Sequence, residues 1–201
     1  MGDTESGPKP KLGSPATTQI MPVYIALLRG VNVGSAKRVP MAELRALLTD
    51  LGHQDVVTLL NSGNAVFRAS RGQPAAIAAG ISKVITSRLG LEVPVIVKSA
   101  KDLTTIVSDN TLAAQAPDHS RLLVAFVQKP DTLTALTTIE PLIVPPEQFL
   151  IGSSAAYLHC PAGVLASKAG AALLGKAGGA ATTRNWATVL KLQALAKQLT
   201  D

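Results

Sequence analysis

The chain has 201 residues, a formal net charge of +6, 47% hydrophobic residues, only 3% aromatic residues and a single cysteine. One thiol excludes an internal disulfide framework, and the scarcity of rings argues against a stacking platform for single-stranded nucleic acid. No run of about 18 apolar residues occurs and no basic segment followed by an apolar one opens the chain, so a cytoplasmic protein without a membrane partner is expected.

Residues 1–20 are rich in Gly, Pro, Ser, Thr and charge. They bury too little apolar area to offset their ordering entropy and are expected to form a disordered tail. The run 23–28 reads as a buried strand. A Gly- and Asn-containing loop follows, and Pro40 stands where a helix starts; Met41, Leu44, Leu47, Leu48 and Leu51 then recur at helical spacing up to Gly52. Residues 56–60 and 65–68 read as two strands across the turn Asn61-Ser62-Gly63-Asn64. Residues 75–89 carry Ile77, Ile81, Val84, Ile85 and Leu89 on one side and form a helix closed by Gly90. A fourth strand, 93–98, has Pro94 near its start. Strand, helix, strand, strand, helix, strand is the ferredoxin-like split βαβ order.

The remainder reads as a looser copy. A helix over 99–110 leads to a strand at 121–127 and a short helix from Asp131 to about residue 138. Pro145-Pro146 breaks the chain before a strand pair, 148–151 and 155–159. An Ala-rich helix at 164–174, a flexible break at 175–179 and a final helix at 184–199 complete it. The expected fold is α+β: two ferredoxin-like halves in tandem, 21–99 and 100–201, with antiparallel-rich sheets and helices on one face.

Three polar segments stand out. The loop after the first strand holds Asn32, Gly34, Ser35, Lys37 and Arg38 before a helix start, where backbone amides and cations take a phosphate or carboxylate. It lacks the ending of a P-loop and the spacing of a dinucleotide fingerprint, and an ordinary loop with solvated cations explains it as well. The Asn61–Asn64 turn offers two amides and a hydroxyl, or plain left-handed turn chemistry. Thr182-Thr183-Arg184-Asn185-Trp186 is expected to open the last helix with Thr183 as its cap and Arg184 in its first turn. A cation there is unfavourable, which points to an acidic partner or to a structural role bonding loop carbonyls. His53, His119 and His159 have no metal-ligand spacing, Cys160 ends an apolar stretch as a structural thiol would, and no paired carboxylates or nucleophile elbow appear. No metal or cofactor is expected.

Taken together, Leu28-Arg29-Gly30-Val31-Asn32-Val33-Gly34 with Lys37 and Val39-Pro40-Met41, then Leu60-Asn61-Ser62-Gly63-Asn64-Ala65-Val66-Phe67, then Thr182-Thr183-Arg184-Asn185-Trp186-Ala187-Thr188-Val189-Leu190-Lys191-Leu192, resemble in order the motifs of the bacterial domain of unknown function 1697 family. Ser167-Lys168 resembles that family's step before its penultimate helix, whereas Gly175 to Ala181 departs from its tighter Leu-Gly step. The resemblance implies two ferredoxin-like halves and no activity.

Segments rich in Asn, Ser, Thr, Lys and Arg suit recognition of an anion better than proton transfer at neutral pH. The expected function is binding of an anionic or phosphorylated ligand, a small molecule or RNA or DNA, by Arg29, Asn32, Lys37, Asn61, Ser62, Asn64, Lys168, Thr183, Arg184 and Asn185. Two alternatives stand beside it. One is an enzyme that clamps a small phosphorylated or acidic substrate with Lys37, Lys168 and Arg184. The other is a purely structural network that locks the halves together.

Overall fold

Two apolar runs, Val23–Leu28 (β1) and Leu122–Val127 (β5), set the architecture, because each is buried on both faces. The computed structural model describes residues 21–34, 37–70 and 72–200; the N-terminal segment 1–20 lies outside them. Side chains alternate across a strand, so each run must feed two cores. Tyr24, Ala26 and Leu28 pack with Leu44, Leu47 and Leu48 of helix Met41–Asp50 (α1) and Ala78, Ile81 and Ile85 of helix Pro74–Leu89 (α2). Leu123, Ala125 and Val127 pack with Leu133, Leu136 and Ile139 of a 3₁₀ helix, Pro130–Leu142, and Ala169 and Leu173 of helix Lys168–Leu174 (α4). Val23, Ile25 and Leu27 meet Leu122, Val124 and Phe126 in one shared core. Leu103 and Ile106 of helix Ala100–Ser108 (α3) and Trp186, Val189 and Leu192 of helix Trp186–Thr200 (α5) complete it.

Each half is a four-stranded antiparallel sheet. The first has the order β2-β3-β1-β4, with Gln54–Leu59 (β2), Asn64–Arg68 (β3) and Val95–Ser99 (β4). The second has the order β6-β7-β5-β8, with Gln148–Ile151 (β6), Ala155–His159 (β7) and Ala181–Asn185 (β8). This is the ferredoxin-like arrangement twice over. Within each half the two crossover helical segments cover one face, and the trailing helix, α3 or α5, covers the other.

The copies agree in register. Tyr24 pairs with Ser99 and Ile25 with Lys98; Leu123 pairs with Asn185 and Val124 with Arg184. Matching β1 to β5 from their first residues therefore superposes Ser99 on Asn185 and Lys98 on Arg184. Both pairs share a role. Ser99 caps α3 in a reciprocal box with Asp102, and Asn185 Oδ1 accepts the Thr188 amide at the start of α5. Lys98 and Arg184 are both buried cations facing the joint between halves. Burial lowers the Lys98 pKa, with Asp102 opposing the shift. Ser99→Ala removes one side of the capping box and is expected to cost about 1 kcal/mol in urea unfolding; an unchanged midpoint would show that the box contributes nothing.

Three local expectations are corrected. Residues 181–185 form a strand rather than a helix start, so α5 begins at Trp186 with Asn185, not Thr183, supplying the capping oxygen. Residues 175–179 form a tight turn, not a flexible break: the Gly178 amide donates to Ala172 O, Gly179 N to Lys176 O, and a Cβ on Gly178 would overlap the Leu173 carbonyl. The helical segment after β5 is 3₁₀, with the hydroxyls of Thr132, Thr134, Thr137 and Thr138 each bonded to the carbonyl three residues before.

Candidate functional site

Arg184 sits on β8, the edge strand of the second sheet, and reaches into the first half. Its Nη2 donates to Leu28 O (2.7 Å), Ser62 O (3.0 Å) and, more weakly, Gly63 O (3.4 Å). Nη1 donates to Thr183 O (2.7 Å) and Thr182 Oγ1 (3.1 Å), and Nε to Asn64 Oδ1 (2.5 Å). All five guanidinium hydrogens are thereby used within the protein. The Asn64 side chain is fully buried, and its Nδ2 donates to Leu59 O and Ser62 Oγ. Six neutral acceptors surround the cation and no carboxylate is among them. Burial pushes its pKa down to about 10, so it keeps its charge at neutral pH.

This knot floors a cleft of about 550 Å³ between the halves. One wall is the end of β1 and the following loop: Leu28, Arg29, Gly30, Val31 and Val33. The other is β8 and the start of α5, Thr182 to Asn185 with Thr188, next to Leu173 and Leu174 at the end of α4. Arg29 leans across it, its Nη1 donating to Gly179 O in the turn before β8. Among the described residues, Arg29 Nε and Nη2, the hydroxyls of Thr183 and Thr188 and Asn185 Nδ2 have no protein partner. Among the described residues its lining holds two arginines and no Asp, Glu, His, Lys or Cys.

The structure brings Arg29, Ser62, Thr183, Arg184 and Asn185 to this cleft and disperses the rest of the candidates. Asn64 lies beneath it, sealed. Asn32 and Asn61 line a neighbouring hollow with Arg38 and Met41. There the Asn32 amide is spent closing its own loop: Nδ2 donates to Val39 O and Asn61 O, and Oδ1 accepts from Val39 N. Lys37 turns toward the end of α2 and donates to Glu92 O. Lys168 is exposed at the first residue of α4, while the cleft is lined by that helix's last two residues. All three polar segments reach this cleft, the first through Arg29, Val31 and Val33, the second through Ser62 and the third through Thr182 to Asn185. Asn32, Lys37, Asn61 and Lys168 do not line it: Asn32 bonds Val39 and the Asn61 carbonyl, Lys37 bonds the Glu92 carbonyl, and Lys168 stands at the other end of α4.

Sequence reasoning missed Thr188, Val33, Leu173 and Leu174, whose place at the cleft depends on the β8 assignment and on how the two halves meet. It also missed Gln128, whose side chain clasps the outer edge of β4 by accepting from Val97 N (2.9 Å) and donating to Val97 O (3.2 Å). That clasp fills hydrogen-bonding positions an added strand would use. Cys160 is fully buried and its thiol pKa is raised by that burial. His53 stacks on Phe67, and among the described residues no three His, Cys, Asp or Glu side chains group as metal ligands would. No helix of the described residues is long and apolar enough to cross a membrane.

Comparison with known proteins places this geometry. Among curated proteins none matches. The chain is similar to a solved structure, the conserved bacterial protein SP0830 from Streptococcus pneumoniae, at 25% identity and a TM-score of 0.74, over 88% of this chain and 99% of that one. The family model described as a protein of unknown function, DUF1697, matches residues 21–157, a span that holds the first two polar motifs and stops short of the third. That span is more than half of the chain, which belongs to the DUF1697 family.

Proposed function

We propose that the cleft between the halves binds a small anionic ligand, phosphorylated or carboxylated. The observation that carries the reading is the charge imbalance of the lining: among the described residues it has two arginines, one of them buried, and no acidic side chain. Neutral carbonyls satisfy the hydrogens of Arg184 but leave its net charge, so an anion placed above it is held by a field in a partly desolvated site. Arg29 supplies the free hydrogens, and Thr183, Thr188 and Asn185 supply neutral donors around them. Arg184 serves as a fixed charge rather than a bonding group, because its donors are spent.

The concave, molecule-sized volume favours a small ligand over a nucleic-acid strand, which needs an open basic track. Among the described residues no His, Asp, Glu, Lys or Cys lines it to serve as an acid or base, which favours binding over proton-transfer catalysis. Titration calorimetry at low ionic strength, with inorganic phosphate and sulfate against the full chain, tests this. Saturable binding weakened about tenfold or more by Arg29→Gln is expected, the loss of a charge-assisted contact. Absence of saturable binding, or binding indifferent to Arg29, overturns it.

A further inference from the structure

The anionic group is only half of what the cleft is built to hold. Beside Arg29 and the β8 donors, its walls are aliphatic. Val31 and Leu173 lie buried behind, and Val33 and Leu174 stand at the mouth with 73% and 47% of their surface exposed. Val33 comes from the loop after β1 and Leu174 from the end of α4, so the two halves present one exposed aliphatic side chain each to the same opening. Isolated exposed aliphatics need no explanation, but two of them lining the same cationic cleft make a mixed surface that an inorganic anion leaves uncovered.

Resting on the anion-binding reading, we infer that the ligand is amphiphilic: a monoester phosphate or carboxylate whose head meets Arg29, Thr183 and Asn185 and whose aliphatic body lies between Val33 and Leu174. The volume sets the body's size. About 550 Å³ is within the range of small-molecule sites. A head group with a short alkyl chain suits that size, whereas a nucleotide's rigid polar sugar and base would leave the aliphatic rim unpaired.

The test is a homologous series, inorganic, methyl, butyl and hexyl phosphate, titrated calorimetrically against the full chain below any micelle concentration. Affinity is expected to rise about three- to fourfold per methylene while carbons enter the cleft, and the heat-capacity change to grow more negative with chain length. Val33→Ser and Leu174→Ser, both exposed positions, are expected to reduce the hexyl-over-methyl preference. A series as flat as inorganic phosphate overturns this inference and leaves the anion reading standing. A chain-length preference that survives both substitutions also overturns it, because the body then lies elsewhere. Failure of every member, phosphate included, removes the anion reading and this inference with it.

Discussion

Arg184→Met is expected to lower the unfolding free energy by about 3–5 kcal/mol, the range for breaking a buried, hydrogen-bonded charge network by removing one member. In a chain of this size that is a fall in melting temperature of roughly 6–20 °C. The cost comes less from the lost cation than from what it leaves. Asn64 Oδ1 and the carbonyls of Leu28, Ser62 and Thr183 each lose a donor, and a buried acceptor without one costs about 1–3 kcal/mol. Methionine matches the aliphatic stem, so the change isolates the polar head from packing. Arg184→Lys is expected to fall between the two, because a point-charge ammonium with three donors cannot serve acceptors spread around a planar fork. Asn64→Ala combined with Arg184→Met measures the coupling directly, with about 1–3 kcal/mol expected from the double-mutant cycle. The folded pKa of about 10 lies below the ordinary arginine value, so the guanidinium is charged in both states at neutral pH. Its contribution is therefore flat across that range, and the unfolded chain holds the extra proton only above about pH 10, where this group makes stability rise with pH. A loss under about 1 kcal/mol in Arg184→Met would mean that the guanidinium does not join the halves.

The same knot marks the limit of sequence reading. The order of the first half was legible because its strands are apolar runs and its helices have apolar residues at helical spacing, so local pattern and burial agree. β8 breaks that agreement. Ala181-Thr182-Thr183-Arg184-Asn185 is almost entirely polar, yet Thr182 and Arg184 are buried. What compensates is a set of bonds to residues 120 to 156 positions away, which no local window contains. Without those partners, an Arg before a Trp-led apolar helix reads as part of the helix. The polar segments themselves were identifiable as three separate patches of Asn, Thr and Arg. Which of their side chains meet was not, because Asn32 and Lys37 are drawn to carbonyls of Asn61 and Glu92, 29 and 55 positions away, which no local window contains. The repeated register also stayed hidden: Lys98 and Arg184 are equivalent by strand pairing, but nothing in the surrounding residues identifies them as such.

Gly63→Ala is expected to be nearly as damaging, and here two physical causes can be separated. Gly63 has φ +72°, and a Cβ built on it would stand 2.6 Å from Leu28 Cβ and 2.6 Å from Val31 Cγ2. The left-handed backbone costs alanine about 1–2 kcal/mol at any site. The overlap adds about 1–3 kcal/mol of overpacking, since Leu28 Cβ is fixed to the β1 backbone and cannot swing aside. Gly90 provides the control. Its φ is +66°, but nothing lies within 4 Å of a Cβ there, so Gly90→Ala measures the backbone cost alone. The difference between the two variants in urea unfolding is then the packing term, expected at about 1–3 kcal/mol. The overlap has a further consequence, because Gly63 O accepts from both Leu28 N and Arg184 Nη2. Pushing residue 63 away from Leu28 stretches the bond that brings the Asn turn against the end of β1, and with it the frame around Arg184. Gly63→Ala and Arg184→Met are therefore expected to be less than additive, the second change removing contacts the first has already weakened. Equal losses at Gly63 and Gly90 would show that β1 and the turn have room to separate, and that the cleft's floor is not held by this close approach.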